Sequence, residues 1–353
     1  MIAIIGAGAL GLMLANILEK NKIKYVIFNK GKVGRKILAS GNGRCNISNL
    51  NYSDRAYHNN PLAKKIVEAN QEDLFKLFKD LNIYTKSDNE GRMYPISESS
   101  LSVLNLLMKN IKSDIIDDEI TKISLIDNKI YLNDSLGPFS KLVIATGSNA
   151  SFKKPYLSTN YIASLGLKFN EFKPSLIGLK TNKSLKDISG CRCKCNASLY
   201  INNKLIHSED GEVMFKDQGI SGICIMNLSS YYNNYKDNSN AYIKLNLSDI
   251  DYPSYESILQ PKLYNYIMNN KIDIHNMIIK IIGVYDMEFA QVGHGGIDLS
   301  EISDNLSLKK YNNIYAGGEI IDIDALCGGY NLMLAFTSAI AIGKDIINEI
   351  SNK

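Results

Sequence analysis

Apolar residues form short unbroken runs at both ends of the chain and alternating ones in its middle, and the two patterns predict different architectures. Met1 to Ile5 is an apolar run suited to a central parallel strand. Gly6 to Gly11 is a glycine turn, after which Leu10, Leu14, Ile17 and Leu18 repeat with helical spacing up to Lys20. Lys24 to Phe28 is a second apolar strand, completing a βαβ unit of about 30 residues. Arg35 to Asn49, rich in Gly, Asn and Ser, reads as an extended loop. Pro61 to Leu81 predicts a helix with Ile66, Leu74, Leu77, Phe78 and Leu81 apolar. Leu101 to Ile111 predicts another, with Ser97, Ser99 or Ser100 to cap it. Ile115 to Ile126 and Lys129 to Leu132 read as strands around an Asp127-Asn128 turn, and Lys141 to Ala145 as a buried strand ending at Thr146-Gly147.

From Leu167 to about Leu247 the pattern shifts to short alternating segments with turns at Asn202-Asn203 and Asp210-Gly211, which predicts a β-rich second domain. Ser254 to Ile282 reads as helical, and Tyr285 to Ile297 as a strand and a glycine turn. Tyr231 to Asn240, biased to Asn and Tyr, reads as a surface loop. Asn313 to Ala316 is a strand and Asn331 to Glu349 a long closing helix. This last pair again suits a nucleotide-binding domain, so the β-rich part reads as an insertion.

Composition narrows the class. The 353 residues allow two domains or a little more. With 45% apolar and 22% charged residues there is material for ordinary cores. Net charge is +4, too mild for a nucleic-acid partner, and runs such as Lys153-Lys154 read as solvated surface. The apolar stretches Ile2 to Leu18 (glycine-interrupted) and Leu332 to Ile342 (too short) do not suggest a membrane partner. None of the six cysteines forms a CxxC pair, and no metal is expected. Cys191, Cys193 and Cys195 alternate onto one strand face and read as packing residues. Unpaired thiols and no secretory leader suggest a cytoplasmic protein.

Four segments carry candidate chemistry. In Gly6-Ala7-Gly8-Ala9-Leu10-Gly11 the first glycine permits a tight turn, the second lets backbone approach a pyrophosphate, and the third allows close helix–sheet packing. The helix start behind it offers free amides to phosphates. Asn29 stands where an acidic residue usually accepts ribose hydroxyls, which weakens an NAD reading more than an FAD one. Ala145-Thr146-Gly147 ends a strand in the manner of a chain returning to a nucleotide. Gly317-Gly318-Glu319, followed by Gly328-Gly329-Tyr330-Asn331, offers a second helix start, whose positive end would stabilise an anionic reduced flavin. Asp322 and Asp324 read as loop hydrogen-bonders and caps. The string Gly34-Arg35-Lys36-Ile-Leu-Ala-Ser40-Gly41-Asn42-Gly43-Arg44-Cys45-Asn46 pairs basic residues with a glycine-rich loop able to wrap a phosphate.

This string closely resembles the signature of the BaiN/YhiN-like flavoproteins, the aminoacetone-oxidase-like NAD(P)/FAD-dependent oxidoreductases. Gly91-Arg-Met-Tyr-Pro95, Gly211-Glu-Val-Met-Phe215 with Gly219-Ile-Ser-Gly222, and Gly318-Glu-Ile-Ile-Asp322 with Cys327-Gly-Gly-Tyr-Asn331 resemble its other motifs, so the likeness spans nearly the whole chain. It implies an α/β fold: a Rossmann-like FAD-binding domain (1–168 and 311–353) with an inserted β-barrel-like domain (169–310) carrying a small helical part at about 254–282. It implies FAD contacts at Gly6 to Gly11, Asn29-Lys30, Arg35-Lys36 and Ser40 to Asn46. It implies further contacts at Ile120, Ala145-Thr146-Gly147, Gly318-Glu319 and Gly329-Tyr330-Asn331-Leu332. Ser148 departs from the resemblance, standing where a second glycine is usual, and 149–165 is shortened. Val292-Gly-His294-Gly295-Gly296-Ile297 resembles a flavin-proximal loop, which makes His294 the candidate catalytic residue.

The reading is thus an FAD-dependent oxidoreductase passing hydride between flavin and a small organic substrate, with reduction of a conjugated C=C bond implied by the family. NAD(P)H would visit as a transient donor, since no second nucleotide fold is evident. An amine oxidase and a non-catalytic flavin-binding redox sensor are the alternatives, together with a flavin-dependent RNA-modifying or RNA-binding protein, against which the near-neutral charge argues; oligomeric state is not predicted.

Overall fold

Apolar strands flanked by helices on both faces must be buried throughout, and in the computed structural model Ile2–Ile5 and Lys141–Ile144 are buried at every position. The structure describes residues 1–153, 158–235 and 237–352; Lys154 of the expected lysine surface run lies outside them, and Lys153 is exposed. The chain divides into two compact units, one of residues 1–172 and 295–353, the other of 173–294.

The first unit is built on a six-stranded sheet in the order Ser307–Leu308, Tyr311–Ala316, Lys141–Ile144, Ile2–Ile5, Tyr25–Phe28, Ile115–Ile116. All neighbours are parallel except the first pair. Ile4 pairs with Val143 on one side and Ile27 on the other, so the opening strand is central. The opening helix Ala9–Lys20 and the closing helix Tyr330–Ser351 pack closely: a Cβ at Gly343 would stand 2.8 Å from Ile17 Cγ2. The closing helix extends well beyond the apolar stretch Leu332 to Ile342. At 22 residues it is long and apolar enough to cross a membrane, yet Met333, Phe336, Ala339, Ile342 and Ile346 are buried in the unit's core.

The second unit is a closed six-stranded antiparallel barrel, strands Leu179–Thr181, Gly219–Ser221, Lys204–Lys216, Arg192–Ile201, Ala241–Asn246 and Met277–Val284. It has its own apolar core around Leu199, Val213, Phe215, Ile243 and Ile279. Cys191 is buried, and Cys193 and Cys195 share its inward parity with Ala197 and Leu199, packed against that core.

Several expectations need correction. The return to the first unit occurs at Gly295, not at 311. Its glycines lie inside the strand Val292–Ile297 rather than in a turn: Gly296, at φ +119°, leaves no room for a Cβ, which would stand 2.3 Å from the Ile320 carbonyl oxygen. The helix expected over 254–282 is confined to Pro261–Asn269. Met277–Val284 instead alternates buried and exposed residues as a barrel strand, which its β-branched run favours. Asn233 and Asn234 end a helix, Ile223–Asn234, that buries Ile225, Leu228 and Tyr232, so the surface loop is shorter than its biased composition suggests.

Candidate functional site

Every residue expected to touch the cofactor falls in the first unit, and backbone contacts tie the four segments together. Gly6 sits at φ +109°, and a Cβ on it would stand 2.4 Å from the Ala145 carbonyl oxygen, so the first turn and the strand-end Ala145-Thr146-Gly147 touch only because this residue is glycine. Gly11 lies equally close to its own turn, its virtual Cβ 1.9 Å from the Gly6 oxygen. Gly8 is different: nothing approaches its virtual Cβ nearer than 4.0 Å. The second glycine thus borders open space where the first and third are pressed against backbone. Gly8 caps the opening helix without a side-chain hydrogen bond, and no acidic residue lies in the first turn. Asn29 is partly spent on structure: Ala7 N donates to its Oδ1 at 2.9 Å, while its Nδ2 donates to the Gly31 oxygen at 2.8 Å. Lys30 is half exposed beside Asp117 at 3.9 Å.

The basic string is not an extended loop throughout. Gly34, left-handed at φ +63°, donates to the Ala7 oxygen at 2.9 Å, and Arg35–Ala39 then form a short helix. A tight turn follows in which Gly41 and Asn42 are both left-handed, closed by Arg44 N and Cys45 N onto the Gly41 and Ser40 oxygens. The Arg35 guanidinium donates to the Ser151 oxygen at 2.6 Å and stacks 3.5 Å from the Phe152 ring centroid. The Arg44 guanidinium lies 5.1 Å from the Tyr94 ring centroid. Burial pushes the Cys45 thiol up to about 11, so it is neutral and no nucleophile near pH 7.

The C-terminal segment meets this string directly. Asn46, with its amide oriented to satisfy its neighbours, donates to the Ser48 and Met93 oxygens and accepts from Gly329 N at 3.1 Å. Asn49 Nδ2 donates to the Gly328 oxygen at 2.9 Å, and the buried Tyr57 hydroxyl to the Tyr330 oxygen at 2.9 Å. Asn331 folds back to bridge the Ala325 amide and carbonyl at 2.9 and 2.8 Å. Gly329, at φ +95°, caps the closing helix without a side-chain hydrogen bond, and again no acid lies in the first turn. Leu10 reaches the same place: the virtual Cβ of Gly317 would meet its Cδ1 at 3.0 Å. Both helix starts lack a side-chain cap, and the string Gly34 to Asn46 touches each: Gly34 N donates to the Ala7 oxygen beside the first, and Asn46 accepts from Gly329 N at the second.

One ion pair joins the basic string to the C-terminal segment. Lys36 Nζ donates to Glu319 Oε2 at 2.7 Å and to Ser148 Oγ at 2.9 Å, and Ser148 Oγ donates to Glu319 Oε1 at 2.6 Å. Burial pulls the Lys36 ammonium below the ordinary lysine range, and the Glu319 carboxylate opposes that pull. Sequence reasoning placed Lys36 and Glu319 at the cofactor but treated Ser148 only as a departure; a polar residue at a usual glycine was the available signal. Ser48, Asn49 and Tyr57 were missed, with nothing in their local spacing to mark them.

The cradle fits a dinucleotide. Gly8 and Gly43 have open space at their missing side chains, and the buried atoms Ser48 Oγ and Asn149 Oδ1 have no protein partner. Ile120 is buried in the same unit. His294 is the last residue of the second unit and is half-buried. No group of three or more His, Cys, Asp or Glu able to hold a metal occurs among the described residues.

The model of the HI0933-like protein Rossmann domain family matches residues 1–345. A 3-dehydro-bile acid delta(4,6)-reductase of Clostridium scindens is 24% identical, covering 97% of this chain and 98% of the relative. A ribosomal RNA dihydrouridine synthase of Escherichia coli is also 24% identical, covering 98% and 97%. Among solved structures, the open conformation of a flavocytochrome c3 fumarate reductase aligns with TM-score 0.51 at 12% identity, over 99% of this chain and 78% of that one. A 3-ketosteroid delta1-dehydrogenase from Sterolibacterium denitrificans aligns with TM-score 0.51 at 9% identity, over 98% and 99%. At these identities the structural matches speak for the fold alone.

Proposed function

Because the chain belongs to the HI0933-like Rossmann family, a family of flavin-dependent oxidoreductases, we propose that it binds FAD and reduces a carbon–carbon double bond conjugated to a carbonyl. The observation that carries the binding half is a pair of helix starts without side-chain caps, at Gly8 and Gly329, each in contact with the glycine-rich string Gly34 to Asn46. Amides at the first would take the pyrophosphate, and the positive end of the second would favour a negatively charged reduced ring. Lys36, the Ser40 to Asn46 turn and Gly147 would line the path between. The bound flavin would supply the hydride.

Support for the reaction half comes from the bond that two differently named relatives share. A delta(4,6) reduction of a 3-dehydro steroid and the saturation of uridine to dihydrouridine both deliver hydride to a double bond conjugated with a carbonyl. That electronic requirement, rather than the outline of either substrate, transfers to this chain. A protein acid would supply the proton to the other carbon of the reduced bond. NAD(P)H would reduce the flavin by visiting it transiently.

The test is a visible spectrum of the purified full chain, followed by anaerobic reduction with NADH or NADPH. A 3-oxo-Δ4 steroid is then offered to the reduced protein, and separately a uridine-containing ribosomal RNA fragment. Flavin reoxidation by either acceptor supports the reading and identifies the substrate class. A protein that binds no flavin, or a reduced flavin that neither acceptor reoxidises, overturns it.

A further inference from the structure

Ser148 follows Thr146-Gly147 just beyond the strand Lys141–Ile144 and is fully buried. Its one hydroxyl serves three neighbours: it donates to Glu319 Oε1, accepts from Lys36 Nζ, and accepts from Ala150 N at 3.2 Å. An ammonium–carboxylate pair withdrawn from water needs additional hydrogen bonds to offset its desolvation. Ser148 contributes one to each partner, which fixes where the pair sits. An ammonium has three N–H groups, and Ser148 and Glu319 take two of those on Lys36. Gly147 at φ +68° borders the pair: a Cβ there would lie 3.6 Å from Glu319 Oε2 and 4.0 Å from Lys36 Nζ. Its missing side chain leaves the ammonium a clear side.

We infer that Ser148 is a positioning residue for the cofactor, holding Lys36 so that its remaining N–H meets the phosphate-bearing part of the dinucleotide beside Gly147. The inference rests on the FAD reading above. Because Glu319 neutralises Lys36, the contribution is a directed hydrogen bond rather than a long-range attraction. It should therefore act on phosphate-bearing flavins and not on the bare ring.

The test titrates the full-length apoprotein with FAD and with riboflavin, following flavin fluorescence, for wild type and Ser148→Gly. The expected result is FAD binding weakened about tenfold in the variant, with riboflavin binding unchanged. Unchanged FAD affinity overturns the inference, and so does an equal loss for both ligands, which marks a merely structural role. A wild type with no affinity for FAD overturns the flavin reading itself and removes the inference with it. Should Ser148→Gly fail to fold, Ser148→Ala and Ser148→Thr decide by the same comparison: a selective FAD loss in Ser148→Ala that Ser148→Thr restores supports the inference, and wild-type FAD affinity in Ser148→Ala, or an equal loss for both ligands, overturns it.

Discussion

Alanine at Gly8 should impair FAD binding and alanine at Gly11 stability, although the two glycines lie three residues apart in one motif. Gly8 already has a conformation open to any residue, φ −93° and ψ −160°. A methyl there contacts only the Ala145 oxygen, at 4.0 Å. The substitution gains about 0.4–1 kcal/mol by restricting the unfolded chain and loses a similar amount as a poorer helix cap, so stability should stay within about 0.5 kcal/mol of wild type. On the proposed FAD reading, the methyl instead intrudes on the space for the cofactor's phosphates. At about 1–3 kcal/mol of overpacking, FAD affinity should fall about 5- to 150-fold. At Gly11 a methyl meets the Gly6 oxygen at 1.9 Å, about 1.1 Å inside the closest approach real Cβ atoms make. The obstacle is backbone and cannot rotate away, so the helix must shift from the turn it abuts. A net cost of about 3 kcal/mol outweighs the better helix propensity of alanine and lowers the melting temperature by about 6–12 °C for a unit of this size. Thermal melts of the two apoproteins and FAD titrations of both decide the matter. A Gly8→Ala protein that melts normally and binds FAD as wild type does would refute the assignment of that open space to the cofactor. A Gly11→Ala protein with unchanged melting would refute the packing argument.

Tyr315→Phe should lower the melting temperature by about 3–6 °C, the equivalent of about 1–2 kcal/mol. Its buried hydroxyl accepts from Lys141 Nζ at 3.2 Å and meets Asp345 and Glu349 of the closing helix at 2.7 and 3.1 Å. Asn29→Asp should cost about 1 kcal/mol, because it turns the donor to the Gly31 oxygen into a second acceptor facing an acceptor; a denaturant midpoint measures it. Cys45 should resist alkylation at pH 8 in the native protein and react on unfolding, as mass spectrometry of labelled peptides would show. Its folded-state pKa is raised from 9.0 to about 11, so the stability it contributes is complete below pH 9 and is lost as the pH climbs towards 11. Melting temperature should fall over that range less steeply in Cys45→Ala than in wild type.

What the sequence disclosed and what it withheld divide along the reach of the interactions involved. The opening strand, glycine turn and helix were readable because each depends on neighbours within a dozen residues. Gly11 is glycine for a reason local geometry already states, its closeness to the Gly6 oxygen, whereas the Ala145 oxygen that presses on Gly6 comes from far along the chain. The short helix Arg35–Ala39 escaped notice because five residues carry no helical period, and its limits are set by left-handed Gly34 and extended Ser40. The segment Met277–Val284 was read as helical because an apolar run alone does not declare its period; only its barrel neighbours Ala241–Asn246 and Leu179–Thr181 settle it. The ring formed by Lys36, Ser148 and Glu319 joins positions 112 and 171 residues apart. No pattern of spacing marks such a ring before the chain has folded.

The discontinuity of the first unit governs the order in which the protein can be finished on the ribosome. The strand Lys141–Ile144 waits for Tyr311–Ala316 to lie beside it, and the sheet waits for Tyr330–Ser351. The barrel between them has a core of its own and can close earlier. Until the last turns emerge, a half-built sheet carries an unpaired edge and an uncovered apolar face. The core of the first unit therefore closes only when Tyr330–Ser351 is in place, and a truncation that removes this helix also removes the helix start behind Gly329.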